Sequence, residues 1–209
     1  LVLPEVERLG VQYFYDASEA VRQADVILVA AGEDQNWSAE AACRTDITLP
    51  ASQRDLLKEL KKTGKPIGLV LMNGRPLELT WEDENMDAIL EAWYPGTMGG
   101  HAIADVIAGD YNPAGRLPLT FYASSDDLPD FENYDMSNRT YRYFKGKALF
   151  PFGHGLSYTI FDYGKAKVDK QNVRAGEGMT LTIPLKNTGK LDGDEVIQVY
   201  LRNPADKEG

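Results

Sequence analysis

Two stretches of the chain, Val26-Ile27-Leu28-Val29-Ala30-Ala31 and Ile67-Gly68-Leu69-Val70-Leu71-Met72, carry no polar side chain at any position. Runs this short and uniformly apolar suit strands buried on both faces of a parallel sheet, where helices cover each side and alternation is lost. Between them, residues 52–63 place Leu56, Leu57 and Leu60 at helical spacing, and Gly64 stands where such a helix would stop. Upstream, a β-prone run at 11–15 precedes an Asp16 cap and helix formers at 17–21. Downstream come a third strand at 87–93 and a helix from Gly99 to Ala108. Strand and helix in strict alternation predict βαβ crossovers and an α/β fold, a mostly parallel sheet with helices on both faces.

The pattern changes after Gly109. Residues 122–158 are rich in Asp, Asn, Tyr, Gly and Pro without a sustained period, which predicts a long irregular crossing. From Phe161 onward the chain turns β-like, with alternating runs at 179–185 and 195–201 broken at Asn187-Thr188-Gly189. So few strands cannot close a sandwich, so residues 162–209 are expected to be the opening strands of a truncated one. The predicted division is an α/β domain at 1–121, a crossing at 122–161 and this partial all-β segment. A first residue of Leu1 without Met adds the expectation of a piece of something longer.

With 209 residues and a formal charge of −10, the surface is acidic, which argues against nucleic acid as partner. No window approaches the 18 or so consecutive apolar residues of a membrane span, so no membrane insertion is expected. One cysteine, Cys43, and two histidines far apart exclude a disulfide framework and argue against a metal site. No cofactor is expected.

In an open parallel sheet, ligands bind beyond the carboxyl ends of the strands. Three loops leave such ends, at residues 32–50, 73–80 and 94–99. The first is the most chemically loaded, with Glu33, Asp34, Trp37, Glu40, Arg44 and Asp46. Carboxylates beside an aromatic ring suit carbohydrate, whose C–H faces pack on the ring while its hydroxyls meet the acids. A solvated acidic loop anchored by its Trp is the plainer alternative. Nucleotide binding lacks support, because no glycine fingerprint follows any strand and Gly32-Glu33-Asp34 would repel a pyrophosphate. A Ser-His-Asp hydrolase lacks its nucleophile elbow; Gly155-Leu156-Ser157-Tyr158 has no second glycine, and His101 and His154 are expected to be structural.

Five ordered motifs carry a resemblance. They are the run from Glu40-Ala41-Ala42-Cys43-Arg44-Thr45-Asp46 to Leu56, Val70-Leu71-Met72-Asn73-Gly74-Arg75-Pro76, the run from Ala92-Trp93-Tyr94-Pro95-Gly96 to Gly100, the run from Ile103 through Gly109-Asp110-Tyr111-Asn112-Pro113-Ala114-Gly115 to Pro118, and the run from Phe150-Pro151-Phe152-Gly153-His154-Gly155 to Tyr158. Together they resemble the C-terminal α/β domain of glycoside hydrolase family 3, as found in three-domain β-glucosidases, including periplasmic bacterial ones. The resemblance implies a fibronectin type III-like module from about residue 162 and an α/β domain lacking its first strands. It also implies a retaining mechanism, with a nucleophile Asp on an absent N-terminal (β/α)₈ barrel and an acid/base Glu on the loop matched here. The family's Glu, four residues before an Arg, matches Glu40 and Arg44, so Glu40 is expected as general acid/base and Glu33 as second choice. An acid in this role is expected to be partly desolvated, against the sugar or Trp37. Trp37 is expected to line the substrate or anchor the loop. Arg44 is expected to pin the loop through Asp34 or Asp46, with Asp46 in the same supporting role.

The implied parent acts on a β-linked glucoside or oligosaccharide, in the periplasm or secreted, and the segment alone is inactive. A β-xylosidase, a non-catalytic scaffold or carbohydrate-binding module, and a flavodoxin-type sensor remain as alternatives. Unpaired sandwich strands add the expectation of strand exchange and a homodimer.

Overall fold

The computed structural model describes residues 19–34, 36, 37, 40 and 44–201. The expected strand at 11–15, the Asp16 cap and Cys43 lie outside the described residues.

Three parallel strands form the sheet in the order β1 (Ile27–Gly32), β2 (Ile67–Met72) and β3 (Ala88–Glu91). Helix α1 (Ala51–Lys61) joins β1 to β2, α2 (Thr80–Asn85) joins β2 to β3, and α3 (Gly99–Ala108) follows β3. This is the α/β arrangement that the apolar runs predict. Pro50 sits just before α1 and its carbonyl accepts from the N–H groups of Gln53 and Arg54. Lys58 and Lys61 lie in the last turn, where cations suit the helix dipole. Gly64 stops the run with φ 70° and donates to the Lys61 carbonyl. Upstream, residues 19–23 are helical, and Lys65 Nζ donates to the Val21, Arg22 and Ala24 carbonyls at their end.

The register stacks the sheet's inner face in rows. Val29 pairs with Leu69 and Leu69 with Ile89; one row on, Ala31 pairs with Leu71 and Leu71 with Glu91. Paired residues share a face, and this face belongs to one cluster with Leu49, Leu57, Leu77, Leu79, Met86 and Phe121. Central β2 buries Val70 on the opposite face as well, as a doubly covered strand should. Strand β1 does not. Its burial alternates, Leu28 is 52% exposed, and it lies at the end of the strand order. The expectation of burial on both faces therefore fails for β1, whose ladder has a neighbour on one side among the described residues.

Helix α2 has no apolar periodicity to announce it. Its first turn holds Glu82 and Asp83, and Glu82 is buried against the Arg54 fork at 2.9 and 3.1 Å. This ion pair ties α2 to α1 inside the core.

Residues 110–160 wrap this unit. Phe121 bridges to Phe150, and both rings pack on the core. Ser125 donates twice to Glu78, and Thr80 Oγ1 to the Ala123 carbonyl. Asn112 donates to the Asp192 carbonyl and accepts from Ser157 and Tyr158. Beyond them β4 (Phe161–Tyr163) pairs antiparallel with β7 (Leu185–Asn187), and β5 (Lys167–Val168) with β6 (Leu181–Thr182). The expected single strand at 179–185 is split, because Pro184 has no N–H for a ladder and its carbonyl instead accepts from Gly164. Residues 195–201 form no strand. Their side chains are engaged by the wrapping segment instead: Glu195 pairs with Arg116, and Tyr200 meets Tyr141 edge-on.

Two predictions follow from the buried charges. Arg54→Met strands the Glu82 carboxylate in the core and should cost about 3–5 kcal/mol, read as a lowered urea midpoint; a change under about 1 kcal/mol would mean that Glu82 finds water. Glu91 is the second case. Its Oε1 accepts from the Trp93 N–H, while its buried Oε2 has no partner among the described residues. Burial pushes this carboxyl up to about 7, the Trp93 N–H pulling the other way. In the unfolded chain a glutamate titrates near 4.3. Between these values the folded state keeps a proton that the unfolded chain releases, so this stability is complete below about pH 4.3 and falls as pH rises through 7. Glu91→Gln should remove that loss, on the order of 3 kcal/mol between pH 4 and 8. Urea unfolding of both proteins at the two pH values checks it, and equal pH dependence would refute the assignment.

Candidate active-site loop

The inner-face alternation of β1 runs on past its end. Ile27, Val29 and Ala31 point inward, and two residues further so does Glu33, which is buried. The same step from Leu71 leads to Asn73, fully buried, whose Nδ2 donates to the Arg75 carbonyl. Where the strands end, the apolar rows of the face thus give way to polar groups: Glu33, Asn73 and Glu91.

Glu33 is the centre of this rim. Arg75, from the loop after β2, grips both carboxylate oxygens, Nε to Oε2 at 2.8 Å and Nη2 to Oε1 at 2.7 Å. Arg44 Nη1 reaches Oε1 at 2.7 Å. Tyr94, from the loop after β3, donates its hydroxyl to the Glu33 carbonyl at 3.0 Å, and its ring lies against Gly74, where a Cβ would come within 2.6 Å of it. All three carboxyl-end loops therefore converge on one residue.

The turn into the loop depends on Gly32. Its φ is 144°, and a Cβ there would lie 1.7 Å from the Met72 carbonyl oxygen. The Gln53 amide of α1 completes its backbone, accepting from Gly32 N at 2.8 Å and donating to Gly32 O at 2.9 Å. Asp34 then forms the next turn, accepting from the Asn36 backbone and side chain.

The expected site residues fall into distinct environments. Glu33 is enclosed and doubly paired, whereas Glu40 stands exposed at a turn. Trp37 is 41% exposed, with the Arg44 guanidinium 4.2 Å from its ring centroid, so one aromatic face is already occupied. Arg44 does not pin the loop through Asp34 or Asp46 as expected; its partner is Glu33, drawn inward by the strand while Asp34 turns to solvent. Asp46 lies where the loop returns to the sheet. It accepts from the Thr48 N–H, which holds its carboxyl below the usual aspartate range, and its carbonyl meets Arg75 at 3.5 Å. Arg75 and Tyr94 were not singled out from sequence, although both lie on loops leaving the carboxyl ends.

Among the described residues no three His, Cys, Asp or Glu side chains gather as a metal site, and no helix is long and apolar enough to cross a membrane. His154 stacks on Phe150 as a packing group. An open cavity of about 390 Å³ lies away from the loop, between Thr120, Tyr141, Phe152 and Tyr200.

Residues 9–158 match the model of the glycosyl hydrolase family 3 C-terminal domain. Over 200 residues the chain is 46% identical to a periplasmic beta-glucosidase of Salmonella typhimurium, covering 90% of this chain and 26% of the relative. Over 166 residues it is 51% identical to a xylan 1,4-beta-xylosidase of Xylanibacter ruminicola, covering 79% of this chain and 19% of the relative. The fold is similar to that of a beta-glucosidase from Listeria innocua in complex with glucose, with a TM-score of 0.73 and 30% identity over 86% of this chain and 26% of that one. The chain thus spans about a fifth to a quarter of the length of these relatives.

Proposed function

From a chain that belongs to the glycosyl hydrolase family 3 C-terminal domain family, we propose a part of a retaining β-glucosidase, with Glu40 as its general acid/base. The observation that carries the choice is the contrast between the two loop acids. Glu33 has both oxygens committed to arginines inside the protein, while Glu40 stands at an exposed turn of the same loop. A proton donor must reach the substrate, which supports Glu40 over the enclosed Glu33.

In this reading the nucleophile is an Asp on an N-terminal (β/α)₈ barrel outside this chain, and the barrel is its principal partner. Retention requires the two carboxyl groups roughly 5 Å apart, so the loop reaches into the barrel's site. Glu40 gives its proton to the glycosidic oxygen as the bond to the anomeric carbon breaks and the Asp carboxylate bonds to that carbon. The resulting Glu40 carboxylate then takes a proton from water, whose oxygen attacks the anomeric carbon and releases the Asp. No metal or cofactor enters. Residues 162–209 are read as the first strands of a fibronectin type III-like module, after an α/β domain at 1–121 and a crossing at 122–161. The Salmonella relative's name supports a periplasmic or secreted setting, and exposed Leu181, Leu185 and Val196 support pairing with a second copy.

The xylosidase relative supports a second reading, β-xyloside hydrolysis by the same machinery. The choice of sugar is assigned to the barrel, so comparing 4-nitrophenyl β-glucoside with the xyloside in the full-length protein decides between them.

The isolated chain should hydrolyse neither substrate. In the full-length protein Glu40→Gln should slow turnover of a poorly activated glycoside by about 10²–10⁴-fold, the usual worth of a positioned acid. It should spare a substrate whose leaving group needs no proton. Activity of the isolated chain, or a Glu40→Gln protein that cleaves poor leaving groups normally, would sink this reading.

A further inference from the structure

Position 40 lies between two residues bonded to each other, Glu33 and Arg44. That ion pair closes the loop at its base, and its geometry is set from outside the loop by Arg75. We infer that Arg75 is a positioning residue for the acid/base loop, acting through Glu33 and Arg44; the inference rests on the reading of Glu40 as acid/base.

Arg75 uses two donors on the two oxygens of Glu33, at 2.8 and 2.7 Å. A planar fork on a planar carboxylate fixes the rotation of the Glu33 side chain as well as its position. Arg44 shares Oε1 at 2.7 Å, so the direction from which it can bond depends on the plane that Arg75 imposes. Arg44 in turn lies over Trp37, between Glu33 and Glu40 in the chain. Arg75 also reaches the Asp46 carbonyl, so it touches the loop on both sides of Glu40.

Its own anchorage is firm. Asn73, fully buried at the end of β2, holds the Arg75 carbonyl at 2.8 Å, and β2 is the central strand of the sheet. The contacts thus run from the rigid centre of the fold to the segment that carries Glu40. Without Arg75 the carboxylate would still have Arg44 on Oε1, while Oε2 would lose the donor that meets it. What Arg75 adds is direction. Lysine would keep the charge but not the fork, so it should not substitute.

The test uses the full-length protein with aryl β-glucosides, or xylosides if those are turned over, whose leaving groups range from 2,4-dinitrophenol to phenol. Arg75→Met and Arg75→Lys should both lose about 10–100-fold in kcat/KM on the phenyl glycoside, the range expected for a displaced catalytic group. Loss on the dinitrophenyl glycoside should stay within about threefold, because that leaving group needs little help from an acid. The ratio of the two rates is independent of how much protein is folded, so it separates positioning from stability. Equal losses on both substrates, unchanged rates on both, or full rescue by lysine would overturn the inference. Should Arg75→Met fail to accumulate, the ratio for Arg75→Lys decides. Glu40→Gln, assayed alongside, tells the two levels apart. If it keeps phenyl glycoside turnover, the acid/base reading fails and this inference with it. If it loses that turnover while both Arg75 variants keep theirs, only the inference fails.

Discussion

A carboxylate withdrawn from water beside the end of an apolar strand is costly unless cations meet it there. Glu33 is such a group, and the loops beyond the sheet are arranged to meet it. Arg75 comes from β2, Arg44 from the far end of the loop that Glu33 begins, and the Tyr94 hydroxyl from beyond β3. Each contact satisfies Glu33, and each also fixes the segment that supplies it. The sheet would survive as a stack of apolar rows without this cluster, but its carboxyl-end loops would have no common point of reference.

Two arginines on one carboxylate leave the cluster with one positive charge in excess. Buried ion pairs contribute little net stability compared with apolar packing, and their better-attested use is to select one arrangement among several. That distinction separates the two charge clusters of the fold. Arg54 and Glu82 join α1 to α2 within the core, where an apolar pair of similar volume could do the same. Around Glu33 a second arginine shares Oε1 with the Arg75 fork, so the geometry there also sets how the return of the loop meets its exit.

The α/β core was legible because short apolar runs, leucines at helical spacing and Gly64 agree with one another across levels. The β segment was less so: Pro184 splits one expected strand, and residues 195–201 answer to Arg116 and Tyr141 rather than to a ladder. At the loop, the identities of the charged residues were plain but their partners were not. Glu33 reads as a loop acid by composition, yet extending the two-residue period of Ile27, Val29 and Ala31 by one step turns it inward. The same step from Leu71 turns Asn73 inward. An all-apolar run hides this period of two, and charge alone, on which Arg44 is expected to meet Asp34 or Asp46, does not separate Glu33 from the acids beside it. Arg75 had no such signal, since which cation answers a buried carboxylate is a matter of tertiary approach.

A catalytic group whose counterpart belongs to another domain faces a stricter constraint than one in a self-contained pocket. In the proposed mechanism the two carboxyl groups must stand roughly 5 Å apart, and a misplacement of about 1 Å already costs two orders of magnitude in rate. Glu40 itself is exposed, so burial of its own side chain does not supply this accuracy. Accuracy has to be imported from the base of the loop, where the chain re-enters the sheet. Gly32, clamped by the Gln53 amide, sets the exit, and the Glu33 cluster ties exit to return. The loop is thereby fixed where it leaves the core and where it returns.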